Sequence, residues 1–134
     1  DASFGEKVSK KIAWPVQQAA SAGPYTLTFS CRSDLELKRA KTLATKEAGT
    51  VEWILNDVKP GQVFIDIGAN IGLYSLLSAC RVGDAGRVYA FEPHVVNVAG
   101  ILANCELNQL TKRIEVFSCA LNDQCGFFDF QYSS

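Results

Sequence analysis

Apolar and polar positions along the chain follow one rhythm before residue 60 and another after it. Near the start, Phe4, Val8 and Ile12 recur at helical spacing with Lys7, Lys10 and Lys11 between them, which predicts a short amphipathic helix. Trp14-Pro15 ends that pattern, and Ala19 to Pro24 reads as a small-residue connector. Residues 1–24 are thus expected to form a helical and connector segment ahead of one domain, 25–134. Tyr25 to Cys31 alternates apolar and hydroxyl side chains, as a half-buried strand does. Ser33 or Asp34 then caps a helix through Leu35, Leu37 and Ala40 to about Leu43. Gly49-Thr50 opens a second helix with Val51, Ile54 and Leu55 on its apolar face, and Glu47, just ahead of it, reads as its cap.

Beyond the turn Lys59-Pro60-Gly61 the apolar runs become continuous. Val63 to Ile67 is a strand with one acid inside it, followed by a loop from Gly68 to Gly72 and a helix from Ile71 to Cys80. Arg87 to Phe91 is the next strand, and Pro93 suits the first position of a helix running to Leu107 or Leu110. Ile114 to Cys119 is a third strand, and Phe127 to Tyr132 a last short one after the turn at Asn122 to Gly126. Strands that are apolar throughout and alternate with helices imply an α/β fold: a mostly parallel sheet, right-handed crossovers and helices on both faces.

Size and composition narrow the field. The 134 residues suit one domain, and 48% hydrophobic with 20% charged residues is ordinary for a globular protein. A net charge of −1 removes the basic footprint that a general nucleic-acid binder needs. The most apolar stretch, Val63 to Val82, carries Asp66, Asn70, Arg81 and two glycines, so no membrane span is expected. The N-terminus lacks the apolar core of a signal peptide, and the absence of Met with a start at Asp1 reads as a processed or excised piece. Five cysteines without a C-x-x-C pair, and a single histidine, make a metal site unexpected. Reduced core thiols in a cytoplasmic protein are the simpler expectation.

Candidate chemistry sits in Asp66-Ile-Gly68-Ala-Asn70-Ile-Gly72 and in Phe91-Glu92-Pro93. A strand, a glycine-rich turn and a helix bring bare backbone and a positive dipole end up to a polar ligand. Glu92 ends the following strand, 20 residues past Gly72, where an acid can accept both hydroxyls of a ribose. A dinucleotide loop would read G-x-G-x-x-G and face a pyrophosphate, which the carboxylate of Asp66 would repel, so a nicotinamide enzyme is the weaker reading. S-adenosylmethionine (SAM) fits better: its ammonium suits Asp66, and its carboxylate suits the helix start after Gly72. Plainer readings stand beside these. Asn70 can serve simply as an N-cap, and Glu92 as an acid near the start of its own helix.

Four stretches together resemble the FkbM-type methyltransferases, a class I SAM-dependent family: Lys46 to Thr50, Lys59 to Ser75, Gly86 to Pro93 and Cys119 to Asp123. The resemblance covers about residues 46–130, and D-I-G-A-N-I-G with F-E-P is its most specific part. It implies a Rossmann-like class I methyltransferase sheet, with Asp66, Gly68, Asn70 and Gly72 around the methionine part of SAM, Glu92 on the ribose and Asp123 on the adenine amino group. It also implies O-methylation of a hydroxyl on a small molecule or sugar. His94 departs from the family, which usually has Asn after F-E-P. Family members continue into a further strand and an acceptor-binding half, so this chain corresponds to the N-terminal, SAM-binding half, with the sheet truncated after the third strand and the short strand that follows. No catalytic residue is assigned. The first sheet strand would lack a neighbour, which points to a homo-oligomer covering that edge or to a non-catalytic piece that acts by ligand binding or association.

Overall fold

The computed structural model describes residues 12–132, so most of the expected N-terminal helix lies outside the described residues. The first described element is a hairpin. β1 (Val16–Ala22) pairs antiparallel with β2 (Tyr25–Cys31), in register from Val16↔Cys31 to Ala22↔Tyr25. The expected connector at Ala19 to Pro24 is therefore mostly strand, and only Gly23 and Pro24 make the turn. Alanines and glutamines have weak strand preference of their own. What makes them a strand is the partner: Ala20 and Ala22 are buried beside Leu27 and Phe29 in the core.

α1 (Asp34–Lys41) follows, with Ser33 Oγ accepting from Glu36 N at its start, then α2 (Ala48–Asp57). The main sheet is β3 (Val63–Ile67), β4 (Arg87–Phe91) and β5 (Ile114–Phe117), all parallel, in the order β3-β4-β5. α3 (Leu73–Val82) and α4 (Val95–Leu107) make the crossovers. Two consecutive crossovers of the same hand, stepping in the same direction across a sheet, leave their helices on one face. That face holds Phe64, Val88, Ala90 and Ile114, buried with Leu76, Leu77, Ala79, Val82, Ile101 and Cys105 in one core.

The hairpin closes the other side of the helix layer. α3 and α4 both contact β2, giving a sequence of sheet, helices and hairpin. Asn104 on α4 and Asn108, the C-cap one turn further on, dock the free edge of β2. Asn104 Oδ1 accepts from Ser30 N, and Asn108 Oδ1 accepts from Thr28 N, each at 2.8 Å. The two amides thus replace the strand that β2 lacks, which satisfies its backbone and blunts its edge.

The opposite sheet face is bare among the described residues. Val63, Ile65 and Ile67 of β3 are exposed, Ile67 at 66%, and Phe91 stacks on Phe117 with centroids 4.9 Å apart. No strand flanks the outer edge of β3 among the described residues. The strand expected at Phe127 to Tyr132 does not form: residues beyond β5 are irregular, with Phe127 and Phe128 exposed and no sheet edge paired to them. The third strand likewise stops at Phe117, short of Cys119.

Candidate functional site

The C-terminal ends of β3 and β4 carry the glycine-rich bend. Gly68 N and Ala69 N both donate to Phe91 O, at 2.9 and 3.0 Å, folding the bend back onto the end of β4. Asn70 (φ 56°) and Gly72 (φ 88°) are both left-handed, which delays α3 to Leu73 rather than the expected Ile71. Gly72 is the N-cap, so the capping role considered for Asn70 is not the one it plays. Its side chain turns instead to α1, where Asn70 Oδ1 accepts from Arg39 Nη1 at 2.7 Å.

Glu92 lies where the spacing placed it. It is 6% exposed, and its two oxygens accept from two backbone donors at 2.8 Å: Oε2 from Asn70 N and Oε1 from His94 N. Its own N donates to Phe117 O at 3.0 Å. Through its carboxylate Glu92 thereby ties the bend to the start of α4, and through its backbone N it ties both to the end of β5. Holding His94 N this way leaves His94 as the N-cap of α4, its Nδ1 accepting from Val96 N, so Pro93 stands before the cap rather than inside the helix.

Asp66 is turned towards the helix layer. Its Oδ2 accepts from Ser75 Oγ at 2.5 Å, across to the first turn of α3. Burial pushes the Asp66 carboxyl above its ordinary value; hydrogen bonds from Ser75 side chain and backbone oppose that rise, and the negative charge of Glu92 adds to it. Asn104 fixes the bend from below: fully buried, it donates through Nδ2 to Ile71 O at 2.9 Å while holding Ser30 on its other side.

Two cavities open on either side of the Arg39–Asn70 hydrogen bond, and both residues line both of them. The larger, about 380 Å³, is bordered by Ser33, Glu36, Glu92, His94, Asn97 and the aromatic rings of Phe130 and Tyr132. The smaller, about 190 Å³, is bordered by Lys46, Glu47, Gly68, Ala69, Leu73 and Tyr74. Burial, then a hydrogen bond to Glu47 and the charges of Glu47 and Asp66, push the Tyr74 hydroxyl up to about 12. A Cβ on Gly68 would meet nothing within 4 Å, so that glycine faces open space.

Of the residues singled out in the sequence, Gly68, Asn70 and Glu92 border the cavities, while Asp66 and Gly72 sit behind the bend and are not among the residues lining them. Asp123 is exposed on the irregular segment after β5 and borders neither. Sequence reasoning missed Arg39 and Tyr74. Both sit on helices whose pattern reports only a buried face, and nothing local links Arg39 to an amide 31 residues away.

A protein family described as Vibrio cholerae RfbT protein matches residues 25–132. The chain belongs to that family. This RfbT-family chain is also 29% identical over 105 residues to 31-O-demethyl-FK506 methyltransferase FkbM of Streptomyces tacrolimicus, covering 69% of the chain and 39% of that relative. It therefore spans about two fifths of the relative's length. Among solved structures it resembles a SAM-dependent O-methyltransferase from Thermotoga maritima (TM-score 0.53, 23% identity, 78% of this chain and 41% of that one). It also resembles Pyrococcus horikoshii TYW2 in complex with MeSAdo (TM-score 0.53, 19% identity, 82% and 38%). The fold is the Rossmann-like one of class I SAM-dependent methyltransferases, as the resemblance carried by D-I-G-A-N-I-G and F-E-P implied. No described helix is long and apolar enough to cross a membrane.

Proposed function

We propose that this chain is the SAM-binding part of a methyltransferase that acts on a hydroxyl of a small molecule or sugar. The observation that carries the reading is Glu92: a buried carboxylate at the end of β4, hydrogen-bonded to the glycine bend, beside a cavity and with lone pairs to spare. Each carboxylate oxygen offers two acceptor sites, and each spends one on a backbone N–H. The remaining sites suit the two hydroxyls of a ribose in the larger cavity. The larger cavity then takes the nucleoside and the smaller the amino-acid end, with the donor crossing the bend at Asn70. Together they fall in the size range of small-molecule sites.

When bound, SAM would supply a sulfonium methyl group: an acceptor oxygen would bond to the methyl carbon in line as the carbon–sulfur bond breaks with its electron pair going to sulfur, and the hydroxyl proton would pass to solvent. The residues of this chain orient that donor. Gly68 leaves room for it, Asp66 braces the first turn of α3 through Ser75 and serves the ammonium through water, and Asp123 is the residue that the family resemblance assigns to the adenine amino group. The balanced charge of the chain supports an acceptor that is not a polyanion.

Calorimetry with S-adenosylhomocysteine, the demethylated product, tests the site. Glu92→Ala and Asp66→Ala should each weaken binding by about 1–3 kcal/mol, the range for losing a charged acceptor. Equal affinity of the wild type and both variants would overturn the assignment. Turnover on an RNA but on no hydroxyl-bearing small molecule would overturn the acceptor class.

A further inference from the structure

We propose that Arg39 binds the carboxylate at the amino-acid end of the donor, and so makes the site select molecules that carry that group. The proposal rests on the SAM reading above and deepens it.

Arg39 lies on α1, outside the glycine bend and outside both sequence motifs, yet it is the side chain that borders both cavities together with Asn70. Its aim is fixed. Nη1 donates to Asn70 Oδ1 at 2.7 Å, and Asn70 is held in turn by the Glu92 carboxylate through its backbone N. That bond is the one Arg39 side-chain hydrogen bond among the described residues, and a guanidinium has five N–H donors in a rigid plane. The donors left over can grip a carboxylate with two parallel bonds, a geometry that an ammonium cannot reproduce.

The smaller cavity has the matching charge pattern. Arg39 and Lys46 bring positive charge, the first turn of α3 at Leu73 and Tyr74 presents the positive end of a helix, and Glu47 brings one negative charge beside the Tyr74 hydroxyl. A zwitterionic amino-acid head fits this arrangement, carboxylate towards Arg39 and ammonium towards Glu47. Its volume of about 190 Å³ suits such a head, whereas the nucleoside needs the larger space beyond Asn70. A helix N-terminus alone contributes only a screened partial charge, so the guanidinium supplies the full charge that sets the preference.

A competing role for Arg39 is to hold Asn70 in its left-handed conformation and nothing more. Two ligands separate the cases. S-adenosylhomocysteine carries the amino-acid head, while 5′-methylthioadenosine has the same nucleoside and sulfur without it. Calorimetry of the full chain and of Arg39→Gln and Arg39→Lys, each checked for a native unfolding transition, gives the decisive ratio. Arg39→Gln keeps a donor for Asn70 and loses the charge. It should weaken S-adenosylhomocysteine about tenfold or more and leave methylthioadenosine within about twofold. Arg39→Lys should fall between the two. A parallel loss for both ligands, or no loss for either, overturns the proposal while the SAM site stands. A wild-type chain that binds neither ligand overturns the SAM reading, and this proposal with it.

Discussion

Glu92 Oε2 accepts the backbone N–H of Asn70 at 2.8 Å, so the acid at the end of β4 and the amide at the crest of the bend are one unit. The carboxylate is buried, and two backbone N–H groups compensate it for the water it has lost. A group assigned to ligand binding is therefore also a brace for the loop that binds.

Glu92→Gln should expose that double role. An amide keeps one acceptor oxygen but turns an NH2 towards either Asn70 N or His94 N, setting donor against donor. We expect a loss of about 1–3 kcal/mol in urea unfolding even without ligand. An unchanged midpoint would show that Glu92 braces nothing.

Two glycines of the bend should respond differently to alanine. A Cβ at Gly72 would lie 2.9 Å from Leu76 Cδ1 and 3.4 Å from Ile101 Cγ2, with φ at 88°. Gly72→Ala should cost about 2 kcal/mol or more from strain and overlap combined. Gly68→Ala has the strain but no overlap, so it should cost about 1 kcal/mol while the new methyl intrudes on the donor. Thermal unfolding and S-adenosylhomocysteine calorimetry on both variants check the contrast, which would collapse if Gly68→Ala bound the ligand normally.

Asp66 gives a pH dependence of defined sign. Burial raises its folded value above the ordinary 3.8, so the folded chain holds the proton more tightly than the unfolded one. Stability from this group is then fully present below the unfolded value and is lost as pH rises through the raised folded value. Asp66→Asn removes the titration. The stability of the wild type relative to Asp66→Asn should decline across that window and level off above it. A difference that is flat, or that grows with pH, would contradict the burial.

Asn104 joins hairpin and bend from the middle of α4, and it is fully buried. Asn104→Leu keeps the volume but strands Ser30 N and Ile71 O. An expected loss of about 2–4 kcal/mol follows from two unsatisfied backbone groups. Asn104→Asp retains the acceptor for Ser30 N and loses the donor to Ile71 O, so at neutral pH it should loosen the bend in particular. Faster amide exchange at residues 69–72 than at β2 is the check.

The first two strands of the main sheet were legible because apolar runs and turn residues agree there: Val63 to Ile67 and Arg87 to Phe91 form as read, whereas Phe127 to Tyr132 finds no sheet edge and forms no strand. β1 was not legible, because Gln17, Ala19 and Ser21 carry no strand signal and the pairing that makes them a strand lies across a turn. The bend and Glu92 could be placed from spacing, since a parallel sheet sets successive strand ends side by side. Arg39 could not, because its meeting with Asn70 depends on how α1 packs, which local pattern does not encode. The bond from Ser75 to Asp66 was likewise not legible, because it depends on how the first turn of α3 sits over the end of β3.

Alternation along β3 has a thermodynamic corollary. β3 sends Asp66 inward and Ile65 and Ile67 outward, and Ile67 adjoins Gly68 in the chain. Any surface that seats on those isoleucines removes apolar area from water, about 1.5–3 kcal/mol for each one wholly covered. It would also restrain the strand from which the bend springs. If seating tightens the grip on the donor, reciprocity requires that the donor tighten the seating by the same factor.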